Sequence, residues 1–185
     1  MFGRLVIGHP LYNHNFLEKL RVMKKNLIVI AGNCILETKV TATKTAEVLK
    51  NLSEKFGFDC VFKASFKKDN RSSVDYFVGL PIEEAIDIFD MVRQGYQLPV
   101  LTDFNNIYEL KNEKLISVVD ILQLPAYLCM QTELTIAMAE IGKPINIKKG
   151  QFLAPEDVGY IIDKIRSVGN VGNNDIMITE RGHCF

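Results

Sequence analysis

The sequence lacks an excess of charge of either sign. Its 185 residues carry 22 Lys and Arg against 22 Asp and Glu, so the formal net charge at pH 7 is zero. A domain that binds nucleic acid usually shows a clear basic excess, and a disordered acidic tail shows the opposite. We therefore expect no nucleic-acid partner, and any positively charged site must be local.

The sequence is also short of the features that mark secreted and membrane proteins. The four cysteines, Cys34, Cys60, Cys129 and Cys184, are far apart and form no C-x-x-C pair, which favours reduced thiols over a disulfide framework. Residues 1–26 contain no apolar run long enough for a signal peptide, and no later stretch is long enough to span a membrane. We expect a cytoplasmic protein with no membrane partner.

From residue 27 onward, apolar runs of strand length alternate with patterns of helical period. Residues 1–26 show no readable pattern, and we set them apart as a divergent N-terminal segment before a domain at 27–185. Helices are predicted from about Thr43 with Leu49, Leu52 and Phe56 buried, from Pro81, over 107–112, over 132–141, and from Pro155. Strands are predicted at 27–31, 60–65, 98–103, 119–124, 145–148 and 175–180.

Strict alternation of strands and helices allows either an open doubly wound sheet or part of a barrel. Polar residues follow the carboxyl end of every predicted strand, and only in a barrel do all these ends converge on one face. We therefore predict an α/β fold of the (β/α)8 TIM-barrel type. A full barrel needs roughly 250 residues, so the prediction is an incomplete barrel with about six of its eight β/α units.

The most informative stretch is residues 61–73, a strand and the polar segment after it, which together hold three lysines, an arginine, an asparagine and three serines. Arg71 can bind two phosphate oxygens through its planar guanidinium group, Lys63 and Lys68 act as point charges, and Ser72 adds a neutral donor. The composition predicts a phosphate site. A solvated basic loop after an ordinary strand explains the same composition equally well.

The wording of this stretch, Phe-Lys-Ala-Ser-Phe-x-Lys-x-Asn-Arg-Ser-Ser, resembles the signature of the 3-deoxy-D-manno-octulosonate 8-phosphate synthases. That family belongs to the same superfamily as the 3-deoxy-D-arabino-heptulosonate 7-phosphate synthases, to which the Asn-Arg-Ser-Ser wording is less similar. The resemblance continues strand by strand, with matching motifs at 30–37, 101–103, 121–129, 146–155 and 179–182.

The resemblance implies a role for each matching residue. Lys63 and Lys68 would contact phosphoenolpyruvate, Asp103 would face the sugar, and Cys34 would mark the class that uses a divalent metal ion. We take Lys63, Lys68 and Asp103 as candidate catalytic residues and Cys34 as a candidate metal ligand. The candidate substrate-binding residues are Asn70, Arg71 and Ser72 for arabinose 5-phosphate, Gln123 and Ala126 beside phosphoenolpyruvate, and Lys148 and Arg181 for its phosphate.

The implied reaction condenses phosphoenolpyruvate with arabinose 5-phosphate, a step toward lipopolysaccharide, in an enzyme that forms homo-oligomers. Four positions depart from the family pattern: Val78 and Met130 replace arginines, Asn105 replaces a histidine, and Lys67 replaces an aspartate. The family's other metal ligands lie beyond the sixth strand and have no counterpart in the sequence. We expect this chain to be weakly active or inactive, and a non-catalytic phosphosugar-binding protein that partners a complete synthase is the alternative.

Overall fold

The computed structural model describes residues 27–182, and the segment 1–26 that we set apart lies outside these described residues. The strands are β1 Ile28–Ala31, β2 Asp59–Lys63, β3 Val100–Asp103, β4 Ile121–Leu124, β5 Ile145–Lys148 and β6 Ile176–Thr179. The α-helices are α1 Lys39–Phe56, α2 Ile82–Gly95, α3 Glu113–Val118, α4 Thr132–Glu140 and α5 Val158–Val168. All six predicted strands are therefore present, with ends shifted by no more than two residues.

The sheet distinguishes the two architectures that the alternation allowed. All neighbouring strands pair in parallel, and their spatial order is β1-β2-β3-β4-β5-β6. A doubly wound sheet reverses its strand order at a switch point, and no reversal occurs here. The six strands form a curled part of a barrel, which confirms the predicted fold class. No helix of residues 27–182 has the length and apolarity needed to cross a membrane.

Successive strand residues face opposite sides of the sheet, and the two sides differ in character. The residues on the outer side, such as Phe62, Leu122 and Ile147, join the main hydrophobic core beneath the helices. On the inner side, Val61, Leu101 and Ile121 form a smaller apolar cluster. Two residues further along the same three strands the inner side becomes polar, with Lys63, Asp103 and Gln123. The pleat therefore places these polar residues in one layer at the carboxyl ends of the strands.

The face on which α1 packs differs from our prediction. The helix begins at Lys39, earlier than expected, because Thr38 caps it by accepting a hydrogen bond from the Thr41 N–H. Its buried residues are Ala42 and Ala46, whereas Leu52 and Phe56 are 39% and 64% exposed. Only Leu49 of the predicted face packs against the core. Small alanine side chains let the helix approach the sheet closely, which leaves the larger apolar residues outside.

The third helix also differs from the prediction. Residues 109–111 form only a 3-10 turn, and the α-helix follows at Glu113–Val118. Asn112 caps that helix by accepting a hydrogen bond from the Leu115 N–H, and Leu115 and Val118 bury its inner face. The helix is only six residues long, so it offers too few turns for a periodic pattern to be recognised in the sequence.

A network of charged side chains ties together the strands at the opposite end of the sheet from the polar layer. Asp120 accepts hydrogen bonds from the Val100 N–H at 2.9 Å and from Arg93 Nε at 3.2 Å. The buried ammonium of Lys143 donates to the carbonyl oxygens of Ile116 and Val119. Burial lowers the pKa of Lys143 to about 8. These contacts fix the starts of β3, β4 and β5 relative to one another.

Two phenylalanines on neighbouring helices test which helix faces are buried. Phe89→Ala in α2 removes a ring that is 0% exposed, and we expect the free energy of unfolding to fall by roughly 3–5 kcal/mol. Phe56→Ala in α1 removes a mostly exposed ring, and we expect a change of less than about 1 kcal/mol. Urea unfolding followed by circular dichroism measures both. Equal losses in the two variants would show that α1 packs on its leucine and phenylalanine face after all.

Candidate active site

A row of hydrogen-bonded side chains crosses the inner side of the sheet at the carboxyl ends of five strands. The row begins at Lys63 on β2, whose Nζ donates to Asp103 Oδ2 on β3 at 3.1 Å. Gln123 Nε2 on β4 donates to Asp103 Oδ1, and Asn146 Nδ2 on β5 donates to Gln123 Oε1 at 2.9 Å. Thr179 Oγ1 on β6 donates to Asn146 Oδ1 at 3.0 Å. Each strand thus contributes one side chain to a continuous polar layer.

The Lys63–Asp103 ion pair is the charged centre of this layer. The two side chains are 14% and 7% exposed, and Ser65 Oγ donates a further hydrogen bond to Asp103 Oδ2. Burial alone would raise the pKa of Asp103, but Lys63, Ser65 and Gln123 outweigh burial and hold that pKa below its ordinary value. Burial lowers the pKa of Lys63, and the nearby charges of Lys148 and Lys68 lower it further against the opposing effect of Asp103. The carboxylate is therefore held ionised, while the ammonium is easier to deprotonate than an ordinary lysine.

Beside this pair, the loops after the strands enclose a small polar cleft. Six of the residues predicted for the site line it together: Lys68, Asn70, Asp103, Ala126, Lys148 and Arg181. Lys63 and Gln123 do not line the cleft, but both donate hydrogen bonds to Asp103 within the polar layer. These residues come from the ends of β2, β3, β4, β5 and β6, so the convergence expected of a barrel brings them to one place. Five residues that line the cleft or form the ion pair are Lys or Arg, namely Lys63, Lys67, Lys68, Lys148 and Arg181. Their positive charge makes the cleft suited to anions.

Arg71 and Ser72 lie on an exposed loop and do not line the cleft. Arg71 Nε donates to the Phe77 carbonyl at 3.0 Å, and Lys68 N donates to the Val78 carbonyl at 2.7 Å, so the loop folds back on itself. Gly79 closes the loop with a φ of +143°, and a Cβ there would lie 2.2 Å from the Phe66 carbonyl oxygen. The loop therefore needs glycine at this position. Arg71 and Ser72 directly follow Asn70, which does line the cleft.

The predicted metal ligand has no partners in the described part of the chain. The Cys34 thiol is exposed, and within residues 27–182 no three His, Cys, Asp or Glu side chains come close enough together to hold a metal ion. A transition-metal site in a protein normally needs at least three protein ligands. The residues described here do not fit a metal site, and we derive no step of the chemistry through one. His183 and Cys184 lie outside the described residues.

Two of the departures from the family pattern are balanced by neighbouring groups. Lys67 Nζ lies 2.9 Å from Asp69 Oδ1 and 3.7 Å from Glu109 Oε1, so its positive charge is paired with two carboxylates. Asn105, which replaces a histidine, accepts a hydrogen bond from the Tyr127 hydroxyl at 2.8 Å. Burial and the carboxylates of Asp69, Asp103 and Glu109 raise the pKa of Tyr127 to about 12. The tyrosine therefore stays protonated and donates this hydrogen bond throughout the physiological pH range.

The other two departures leave exposed apolar side chains. Met130 and Val78 are 48% and 46% exposed where the resemblance implies arginines. Neither side chain can bind a phosphate oxygen, so neither position supplies the positive charge that the resemblance implies.

The sequence missed several residues that the structure brings into the polar layer or its support. Ser65, Asn146 and Thr179 join the row of hydrogen bonds, and Tyr127 lines the cleft. The signal that could have found the first two is the period of the strand, because Ser65 and Asn146 lie two residues from Lys63 and Lys148. Lys149, which the motifs did not single out, is 1% exposed.

Comparison with known proteins places the chain among synthases of the kind that the motifs resemble. A sequence profile of the DAHP synthetase I family matches residues 20–185. A 2-dehydro-3-deoxyphosphooctonate aldolase from Thioalkalivibrio sulfidiphilus is 45% identical over 159 residues, which are 86% of this chain and 55% of that protein. Proteins of the same name from Syntrophobacter fumaroxidans and Fusobacterium nucleatum are 43% and 41% identical over 157 and 162 residues.

The matches cover most of this chain but only part of each relative. They cover 85% and 88% of this chain for the second and third relatives, but only 53% and 56% of the relatives themselves. The chain therefore spans about half the length of the curated relatives it matches. The resemblance that the strand-end motifs indicated is confirmed, while the activity of the whole relatives belongs to proteins about twice as long.

The buried ion pair gives a prediction for Asp103→Asn. This change leaves Lys63 buried without its counter-charge, and we expect the free energy of unfolding at pH 7 to fall by roughly 3 kcal/mol. Because the pKa of Asp103 in the folded state lies below the ordinary 3.8, the stabilisation is fully present above about pH 4 and is lost as the pH falls through that lowered value. Urea unfolding of both proteins between pH 7 and pH 3 measures the difference.

Asp69→Asn is the matched control, because the Lys67–Asp69 pair is exposed and contributes less than about 1 kcal/mol. The difference between wild type and Asp103→Asn should narrow below about pH 4. A difference that is the same at pH 3 and pH 7 would show that the carboxylate charge does not stabilise the fold.

Proposed function

The chain belongs to the DAHP synthetase I family, and on that premise we propose that its cleft serves the condensation of phosphoenolpyruvate with arabinose 5-phosphate. The products are 3-deoxy-D-manno-octulosonate 8-phosphate, a lipopolysaccharide precursor, and inorganic phosphate. The observation that carries the proposal is the cleft that Lys68, Asn70, Asp103, Lys148 and Arg181 line together, beside Lys63. The cytoplasmic location expected from the sequence is part of the same proposal.

The first task of such a site is to hold two phosphorylated anions close together. Lys148 and Arg181 lie at the ends of the adjacent strands β5 and β6 and would bind the phosphate of phosphoenolpyruvate. Asn70, which lines the cleft, and its chain neighbours Arg71 and Ser72 would bind the phosphate of the sugar. Clustered cations offset the repulsion between the two substrates and fix the geometry of attack, and such positioning and electrostatic effects supply much of enzymatic rate enhancement.

In the proposed reaction a carbon–carbon bond forms and a carbon–oxygen bond breaks. C3 of phosphoenolpyruvate attacks the aldehyde carbon of arabinose 5-phosphate, and water adds at C2. Phosphate then leaves by cleavage of its bond to C2, so one water molecule is consumed for each phosphate released. Lys63, whose pKa burial lowers, would give a proton to the aldehyde oxygen as it becomes negative. The ionised Asp103 would hold Lys63 and the sugar in position.

The second candidate function is the binding of phosphorylated sugars without turnover, in a protein that partners a complete synthase. The exposed Met130 and Val78 favour it, because both stand where the resemblance implies arginines. The two candidates agree on the anion site and differ only in catalysis.

The experiment that separates them measures phosphate release from phosphoenolpyruvate by the purified chain. The assay is run with and without arabinose 5-phosphate, after chelation, and after adding back a divalent metal ion. We expect weak release that requires the sugar. We also expect Lys148→Met to weaken phosphoenolpyruvate binding about 10- to 100-fold through loss of one charged contact. Lys164→Met is the control, because Lys164 hydrogen-bonds to Thr132 between two outer helices, away from the cleft.

Isothermal titration calorimetry with phosphoenolpyruvate gives the binding result independently of turnover. Binding without phosphate release under any condition, in a folded protein, would overturn the catalytic proposal and support the second candidate. Absence of binding as well would overturn both.

A further inference from the structure

Lys149 is a buried charge that the proposed chemistry does not use. It follows Lys148 at the end of β5, and the alternation of the strand sends the two side chains to opposite sides. Lys148 lines the cleft, whereas Lys149 does not and is 1% exposed. A lysine is rarely buried to this extent, because removing an ammonium from water is costly unless its hydrogen bonds and charge are matched. Its partners therefore indicate what the burial achieves.

The Lys149 ammonium joins the loop after β5 to the loop after β6. Its Nζ donates to the carbonyl oxygens of Gly150 and Leu153, each at 3.2 Å, and to the carbonyl oxygen of Gly182 at 3.0 Å. The same atom lies 3.4 Å from the Glu180 carboxylate. An ammonium has three N–H donors, and three carbonyl oxygens accept them. Lys149 is thus the point at which two cleft-forming loops are held together.

These contacts lie on both sides of Arg181. Glu180 precedes Arg181 and Gly182 follows it, and both are bound to Lys149 Nζ. Glu180 Oε1 also accepts hydrogen bonds from the backbone N–H groups of Arg181 at 2.9 Å and of Gly182 at 2.6 Å. The Lys149 backbone N–H donates to the Thr179 carbonyl at 3.0 Å, which extends the pairing of β5 with β6 up to this turn. The backbone of Arg181 is therefore fixed although its side chain is exposed.

We infer that Lys149 is a positioning residue that sets the distance between the two phosphate-binding cations, Lys148 and Arg181. Lys148 adjoins it in the chain, and Arg181 lies in the turn that it holds. The ammonium also neutralises Glu180, which would otherwise place an unpaired carboxylate beside an anion site. The identity of the anion as phosphoenolpyruvate rests on the proposed function. The contacts of Lys149 do not depend on it.

The test compares Lys149→Met, Arg181→Met and the double variant for phosphoenolpyruvate binding by calorimetry. We expect each single change to weaken binding about tenfold, which corresponds to about 1.4 kcal/mol. If Lys149 acts through Arg181, the double variant should bind no more weakly than Arg181→Met alone, because the two changes remove one shared interaction. Lys164→Met serves as the control and should bind as the wild type does. Additive losses, or unchanged binding by Lys149→Met, would overturn the inference.

Hydrogen exchange of the backbone amides tests the same inference without any ligand. Lys149→Met should speed exchange at the amides of Arg181 and Gly182 relative to the wild type and to Lys164→Met, because the carboxylate that they bind loses its own anchor. Glu180→Ala, at an exposed position, removes the acceptor itself and gives the upper limit of the effect. Lys149→Gln is the second variant if Lys149→Met fails to fold. Unchanged exchange at these amides overturns the inference. If Lys149→Met exchanges faster but the wild type does not bind phosphoenolpyruvate, the positioning role of Lys149 stands and only the proposed function is overturned.

Discussion

The buried contact between Lys63 and Asp103 is the constraint on which the arrangement of the cleft depends. Removing two charges from water costs several kcal/mol each, and only close pairing with additional hydrogen bonds offsets that cost. Ser65 and Gln123 supply those hydrogen bonds, so β2, β3 and β4 must keep their relative register. Replacing such a pair by apolar residues is often neutral or stabilising. Its presence at the carboxyl ends of the strands is therefore better explained by chemistry than by stability.

The inner side of the sheet divides stability and chemistry between two layers. Val61, Leu101 and Ile121 form an apolar layer, and the polar row lies two residues further along the strands. In barrel proteins the carboxyl ends of strands carry the active site while the other end serves stability, and the Arg93–Asp120 contact at the opposite end fits that division. A cleft built on strand ends is held by the whole core.

Much of the fold followed from the sequence because strand and helix periods are local properties. The buried face of α1 could not be predicted in this way, because the helix has two apolar stripes. Only its close approach to the sheet selects Ala42 and Ala46 over Leu52 and Phe56. Lys67 could not be judged either, because Glu109, one of its two counter-charges, lies more than forty positions along the chain. Lys148 and Lys149 are the same residue type side by side, and only the pleat of β5 separates their roles. Contacts between distant segments decided each of these cases.

The side chains between Asp103 and Thr179 form a row with a fixed direction. An ionised carboxylate can only accept hydrogen bonds, so Gln123 turns its amino group toward Asp103 and its carbonyl toward Asn146. Asn146 is oriented in the same sense, with the Thr179 hydroxyl donating to its carbonyl. The positive ends of all these dipoles point toward Asp103, and each strengthens the next. The ionised carboxylate on β3 therefore sets the orientation of the hydroxyl of Thr179 on β6, three strands away in the sheet.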